Sequence, residues 1–343
     1  MIIGQLNFTV GDIEGNTKKI IGAIKKANEK YNADIIVFPE LSISSYPPED
    51  LLLRPTFNES INIALEKITS ETKNIHVILG HPLRKDGKLY NACSLIHKKE
   101  IKKTYRKQYL PNYGVFDEKR YFTPGNETCL FEINGVTAGL SICEDIWISK
   151  PTLDAAAKNA KILFNINASP YDKNKNSERK NIISKRASES NMFIVYVNLV
   201  GGQDELIFDG NSMVFDKNGG IIFQAPEFEE GLYKVYINTK HTEIQNDTKK
   251  EVNLDLIKEE SIYNALVTGV KDYVRKNNFQ GVVIGLSGGI DSALTLCIAV
   301  DALGPENVKA LIMPSRYTAK MSIDDACTLA KKLKVSHEII SIE

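Results

Sequence analysis

Two short stretches carry residue types able to do covalent or phosphate chemistry. The first is Gly139-Leu140-Ser141-Ile142-Cys143-Glu144-Asp145-Ile146-Trp147. Upstream, Val136, Ala138, Leu140 and Ile142 alternate with Thr137, Gly139 and Ser141, which predicts a strand with one apolar face. Cys143 falls on the other face at the strand's end, and Ser149-Lys150-Pro151 reads as a helix start. A thiol between strand and helix is placed to act as a nucleophile, although a lone Cys is more often a small buried hydrophobe. Glu144 and Asp145 are costly to bury unpaired, so this end of the strand is expected to open onto something polar. The second stretch is Gly285-Leu286-Ser287-Gly288-Gly289-Ile290-Asp291-Ser292, between a predicted strand and a predicted helix. Gly288 and Gly289 permit positive φ and close backbone approach. Successive N–H groups can then form an anion nest at the helix start, with Ser287 and Ser292 adding hydroxyl donors. The lysine of a Walker A loop is absent.

A thiol with a pKa near about 8.5 is only a few per cent ionised at neutral pH, so Cys143 needs a base. The tetrahedral oxyanion formed on attack at an amide carbon needs a fixed positive charge or N–H donors, one of which is worth ~3 kcal/mol. Glu40, ending the apolar run that starts at Asp34, supplies the first residue type. Lys107, in the aromatic and charged loop from Tyr105 to Glu118, supplies the second. Each also has a plain reading. Glu40 could start a helix, Lys107 could be one more surface lysine, and Ser169 a turn residue before Pro170.

The elements that must position these residues form an α/β series. Strands are expected at 2–8, 34–40, 76–80, 90–97, 136–143, 162–168 and 192–199, with helices between some and a hairpin turning at Asp216-Lys217-Asn218-Gly219-Gly220. Several strands end in polar groups (Glu40, Cys143, Ser169), which places a site at the strand ends. After a polar stretch, the remainder reads β-α-β-α-β over 281–342, the start of a parallel sheet. The expected division is 1–240, a linker at 241–258, and 259–343.

The 343 residues carry 43 Lys+Arg and 43 Asp+Glu, so charge makes no case for nucleic acid or membrane as a partner. No apolar run approaches a membrane span, and the N-terminus lacks the pattern of a signal peptide. The five cysteines show no CxxC pairing, which points to reduced thiols in the cytoplasm and no zinc site.

The segment SGGIDS resembles the pyrophosphate loop of the N-type ATP pyrophosphatases, and Met313-Pro314-Ser315-Arg316-Tyr317-Thr318 resembles a stretch of the NAD synthetases within them. The first part of the chain then resembles the glutaminase half of the same enzymes, a branch of the nitrilase superfamily. That resemblance implies an α-β-β-α sandwich followed by the start of a Rossmann-like sheet. It implies Glu40 as base, Lys107 as the triad lysine, Cys143 as nucleophile and Glu118 as a supporting second glutamate. It implies glutamine contacts at Tyr113, Ser169 and Lys175, ATP binding by residues 285–292, and Mg²⁺ at Asp291. The implied reaction is glutamine hydrolysis feeding ammonia to an ATP-dependent amidation of deamido-NAD, in a homo-oligomer without a tightly bound organic cofactor. Further substrate contacts are expected in sequence beyond Glu343. A stand-alone amidase with a vestigial tail and a non-catalytic nucleotide-binding subunit are the rival readings.

Overall fold

The computed structural model describes residues 1–237 and 255–343. Most of the expected linker, 241–254, lies outside the described residues. The chain divides into two units, Met1–Gly201 with Phe208–Asp255, and Gly202–Ile207 with Leu256–Glu343. The short piece Gly202–Ile207 lies inside the expected first domain but groups with the second unit.

In chain order, the first unit opens with β1 (Ile2–Gln5), α1 (Ile13–Glu29), β2 (Ile35–Val37), α2 (Pro55–Glu71), β3 (His76–Lys85), β4 (Lys88–His97) and β5 (Glu100–Arg106). It continues with β6 (Cys129–Ile133), β7 (Val136–Ile142), α3 (Ser149–Ala157), β8 (Ile162–Asn167), α4 (Lys175–Ser190) and β9 (Phe193–Asn198). The last strands before the undescribed stretch are β10 (Val200–Gln203), β11 (Leu206–Asp209), β12 (Met213–Phe215), β13 (Ile221–Gln224) and β14 (Gly231–Lys234).

Two six-stranded sheets result, with orders β14-β1-β2-β3-β4-β5 and β13-β12-β9-β8-β7-β6. Each has three parallel strands at its centre, β1-β2-β3 in one and β7-β8-β9 in the other, flanked by antiparallel pairs. Ile3, Val37 and Ile78 from one sheet share a core with Leu140, Ile142, Phe164 and Val195 from the other. The neighbours Ile2, Ile36 and Val77 are equally buried, on the opposite pleat face, where α1 and α2 pack. On the far side of the second sheet, Ala155 of α3 and Ile183 and Ala187 of α4 pack against Leu163, Ile194 and Met213. Buried on both faces, the central strands read as continuous apolar runs. The layering is therefore α-β-β-α. Local signals agree: Asp12 caps α1 by accepting from Gly15 N, and Asp216 N donates to Gly220 O to close the β12–β13 hairpin.

The second unit contains α5 (Lys258–Lys276), β15 (Val282–Gly285), α6 (Ile290–Leu303), β16 (Val308–Ile312), α7 (Lys320–Lys332) and β17 (Ser336–Ile339). The three strands are parallel, in the order β15-β16-β17. Leu296, Ala299 and Leu303 of α6, and Ala326 and Ala330 of α7, close over Val308, Ala310 and Ile312. This is the expected β-α-β-α-β series, with connecting helices burying one face of a parallel sheet.

One polar group inside the first unit has a thermodynamic consequence. His81 of β3 is buried, its Nδ1 lies 2.9 Å from Pro82 O, and its Nε2 lies 2.8 Å from Ser94 Oγ on β4. The carbonyl can only accept, so Nδ1 carries the proton and Nε2 accepts from the serine. Burial pushes the imidazole pKa down to about 4. Unfolded chain therefore takes up this proton first as pH falls, and stability present above pH 6.5 is lost progressively towards pH 4. The loss amounts to about 3 kcal/mol. Urea unfolding from pH 7 to 4 should show a fall steeper by that amount in the wild type than in His81→Gln. Equal pH dependence in the two proteins would contradict it.

Candidate active site

The elements deliver their polar residues to one end of the parallel strands. Glu40 lies three residues past β2, Lys107 directly past β5, Cys143 directly past β7, and Ser169 two residues past β8. This is where ligands bind in sheets of this kind.

Lys107 is the centre of the constellation. It is no surface lysine, since its side chain is fully buried, whereas Lys98, Lys99, Lys102 and Lys103, shortly before it in the chain, are exposed. Its Nζ donates to Glu40 Oε1 at 2.7 Å and to Glu118 Oε1 at 2.8 Å. Burial pulls the ammonium pKa down, but Glu118 and Glu40 outweigh it and hold the group well above its ordinary value. Glu40 is pinned further by Asn91 Nδ2 at 2.7 Å and by the Ala168 N–H at 2.9 Å. Tyr46 donates to Glu118 Oε1 at 3.1 Å. Burial first, and then the Glu40 charge, push the Glu118 carboxyl up to about 7 against the pull of Lys107.

Cys143 departs from its expected place on the strand's second face. β7 stops at Ile142, and Cys143 opens a 3₁₀ turn, Cys143–Ile146, with φ of 42°. Strand alternation ends there, and the residue takes the left-handed conformation that non-glycine residues rarely adopt. The residue is buried, 5% exposed. Burial and the Glu40 charge raise its pKa well above the usual value, with Lys107 opposing. The resting sulfur is therefore a thiol, and a base must remove its proton as it attacks. The expectation that the two following carboxylates open onto something polar splits in two. Glu144 is partly exposed and accepts from Tyr113 OH at 3.0 Å. Asp145 is fully buried and is met by protein donors instead: Tyr105 OH at 2.8 Å and the N–H groups of Gln108, Tyr109 and Ile142 at 3.1, 2.9 and 3.1 Å. One carboxylate thus fastens the backbone beside Lys107 to the backbone beside Cys143, and burial pushes its own pKa up to about 6.

Of the remaining expected residues, Ser169 adjoins Ala168, whose N–H holds Glu40. Tyr113 stands at the rim, 52% exposed. Lys175 is the first residue of α4, partly buried, and its ammonium makes no ion pair among the described residues.

In the second unit the loop between β15 and α6 holds a different set. Gly288 has φ of 84°, and a Cβ there would lie 2.2 Å from Ser322 O, so only glycine fits. Ser287 and Ser292, expected as free donors, bond within the loop. Ser287 N donates to Ser292 Oγ at 3.2 Å, Ser292 Oγ to Gly289 O at 3.0 Å, and Gly289 N to Ser287 Oγ at 3.3 Å. Leu286 anchors the loop, buried and donating its N–H to Leu311 O, while Ile290 and Asp291 are exposed. Met313, opening the segment that runs to Thr318, reaches Gly285.

Residues 3–244 match the carbon-nitrogen hydrolase family. The chain belongs to that family. As a carbon-nitrogen hydrolase it carries an additional segment, 262–343, that matches the NAD synthase family. A glutamine-dependent NAD(+) synthetase from Aquifex aeolicus is 42% identical over 374 residues, covering 100% of this chain and 65% of the relative. The structure of a glutamine-dependent NAD+ synthetase from Acinetobacter baumannii, in complex with ADP, superposes with a TM-score of 0.95 at 41% identity, covering all of this chain and 64% of that one. A nitrilase-superfamily amidase from Nesterenkonia shares the fold over 67% of this chain, with a TM-score of 0.60 and 24% identity. The chain therefore spans about 65% of the length of curated relatives it matches.

Sequence reasoning missed three supports of this candidate site: Asn91, Tyr46 and Asn198, whose Oδ1 accepts the Ser169 N–H at 2.9 Å. Asn91 had a signal, as a polar residue between Leu89-Tyr90 and Ala92-Cys93 in β4. Tyr46 and Asn198 had none, because a tyrosine in a Ser/Pro-rich loop and an asparagine at a strand end are ordinary. Replacing Lys107 by methionine should leave two buried carboxylates without a counter-charge. Such orphaned pairs cost about 3–5 kcal/mol. The deficit relative to wild type, measured by urea unfolding, should shrink from pH 8 to pH 5 as protonation discharges the carboxylates. A deficit that grows on acidification would contradict this placement of charge.

Proposed function

We propose that residues 1–240 form a glutaminase, that 241–258 are a linker, and that 259–343 belong to an ATP-using NAD synthetase unit. The observation that carries the glutaminase reading is the buried ammonium of Lys107 held between Glu40 and Glu118, within electrostatic reach of a strand-end thiol. Glu40 takes the thiol proton as the sulfur attacks the side-chain amide carbon of glutamine. Lys107 offsets the oxyanion that develops. The tetrahedral intermediate collapses, the C–N bond breaks, and the protonated Glu40 returns its proton to the departing ammonia. Water, deprotonated by Glu40, then cleaves the γ-glutamyl thioester to glutamate and restores the thiol. Glu118 keeps Lys107 in place, while Tyr113, Ser169 and Lys175 meet the amino-acid end of the substrate.

In the second unit the nicotinate carboxylate of deamido-NAD attacks the α-phosphorus of ATP, forming an acyl-adenylate and releasing pyrophosphate, with the backbone of residues 285–292 against the phosphates. Ammonia displaces AMP to give NAD. Glycine at 288 and the helix start at Ile290 support phosphate binding there. Asp291 is the residue for Mg²⁺. Among the described residues no group of three or more His, Cys, Asp or Glu could hold a metal, so phosphate oxygens and water would complete its shell, as suits this ion. The resemblance carries with it a homo-oligomer, and the cysteine pattern points to the cytoplasm.

Ammonia release from glutamine should fall at least about a thousandfold in Cys143→Ala, with unfolding unchanged by circular dichroism. Glutamine should also be preferred over simple aliphatic amides. Retained hydrolysis, or no preference for glutamine, would overturn the proposal.

A further inference from the structure

A second buried ion pair, between Arg179 of α4 and Asp209 at the end of β11, lies off the triad. Both side chains are 3% exposed. Arg179 Nη1 donates to Asp209 Oδ2 at 2.8 Å and Oδ1 at 3.1 Å, and Nη2 reaches Ser169 Oγ at 3.4 Å. Among the described residues Arg179 Nε has no hydrogen-bond partner, so the guanidinium is oriented by Asp209, Ser169 and the Tyr196 ring, 5.8 Å away. Asp209 also accepts from Asn198 Nδ2 at 3.1 Å. The amide of Asn198 in turn clamps the backbone of Ser169, accepting its N–H at 2.9 Å and donating to its C=O at 3.3 Å. Asp209 therefore reaches Ser169 by two arms, one to the hydroxyl and one to the peptide.

The next residue back, Ala168, holds Glu40. Glu40 has three other ties, to Lys107, to Asn91 and through its own N–H to Asn167 O. Ser169 is held by Arg179, Asn198 and Tyr196, and the first two are themselves held by Asp209. A loosening of Asp209 is therefore felt at Ser169 and not at the triad.

We infer that Asp209, acting through Arg179 and Asn198, is the positioning residue for Ser169, and so sets recognition of the substrate's amino-acid end separately from activation of the cysteine. This rests on the glutaminase reading. The chemistry recognised is the polar α-carbon end of a glutamine-like amide, as opposed to the amide itself.

The test compares two alkylating agents on the full chain, read as adducts on Cys143 by mass spectrometry. One is a diazoketone analogue of glutamine. The other is iodoacetamide, which has the amide but no amino-acid end. Wild type should react selectively with the glutamine analogue; without that selectivity the glutaminase reading fails, and this inference with it. Given selectivity, Asp209→Asn should lower the ratio of the two rates roughly tenfold, the scale of a lost hydrogen bond to a charged group. Arg179→Lys keeps the buried pair charged and cannot span both partners. It should give a smaller loss of the same kind, and it serves if the first variant does not fold. Ser169→Ala should lower the ratio similarly, and adding Asp209→Asn to it should lower it no further. A fall in both rates together, an unchanged ratio, or additive losses in the double variant would overturn the inference.

Discussion

Two carboxylates and one ammonium, all but removed from water, meet in the first unit, and the arrangement holds only while Lys107 bridges Glu40 and Glu118. Isolated buried charges are expensive, and a pair is tolerated when its remaining valences are satisfied. Here Asn91 and the Ala168 N–H complete Glu40, and Tyr46 adds a second donor to Glu118 Oε1, while Glu118 Oε2 has no partner among the described residues. These donors come from β4, from the end of β8 and from the loop after β2. The charge cluster therefore specifies how both sheets meet at this end of the sandwich. It also sets the resting state of Cys143: beside two carboxylates and out of water, the sulfur stays protonated until a substrate gives its electrons somewhere to go.

The backbone around the cysteine serves the same end. A left-handed residue directly after a strand turns its side chain out of the strand's alternation. Asp145, two residues on, accepts from both sides of the cleft. Strain at one residue is thus offset by a carboxylate with four donors. Burial of Asp145 follows from that role.

Much of this was legible in the sequence because the informative signals were local. Two-residue alternation before Cys143, apolar runs ending in Glu40 and Ser169, and a glycine pair between strand and helix each follow from nearest-neighbour geometry. Boundaries were blurred where strands end: the run from Asp34 to Glu40 is a strand only over Ile35–Val37, and the strand expected over 76–80 runs from His76 to Lys85. The rest was illegible because it is long-range. Asn91 and Glu40 are 51 residues apart, and Tyr46 and Glu118 are 72 apart. No spacing rule joins them, and only the pairing of β2, β3 and β4 brings Asn91 to Glu40. The loop serines show the converse. Their types suggested donors for phosphate, yet in this structure they bond to each other and to the loop backbone.

The central claim is that Cys143, and no other thiol, carries the glutamyl group during turnover. Intact-mass analysis of protein quenched in acid during steady-state glutamine hydrolysis, followed by peptide mapping, tests it directly. The account predicts a fraction bearing one glutamyl group, confined to the peptide that contains Cys143 and lost on treatment with hydroxylamine. Turnover with no adduct, or with the adduct on Cys93, Cys129, Cys297 or Cys327, would contradict it.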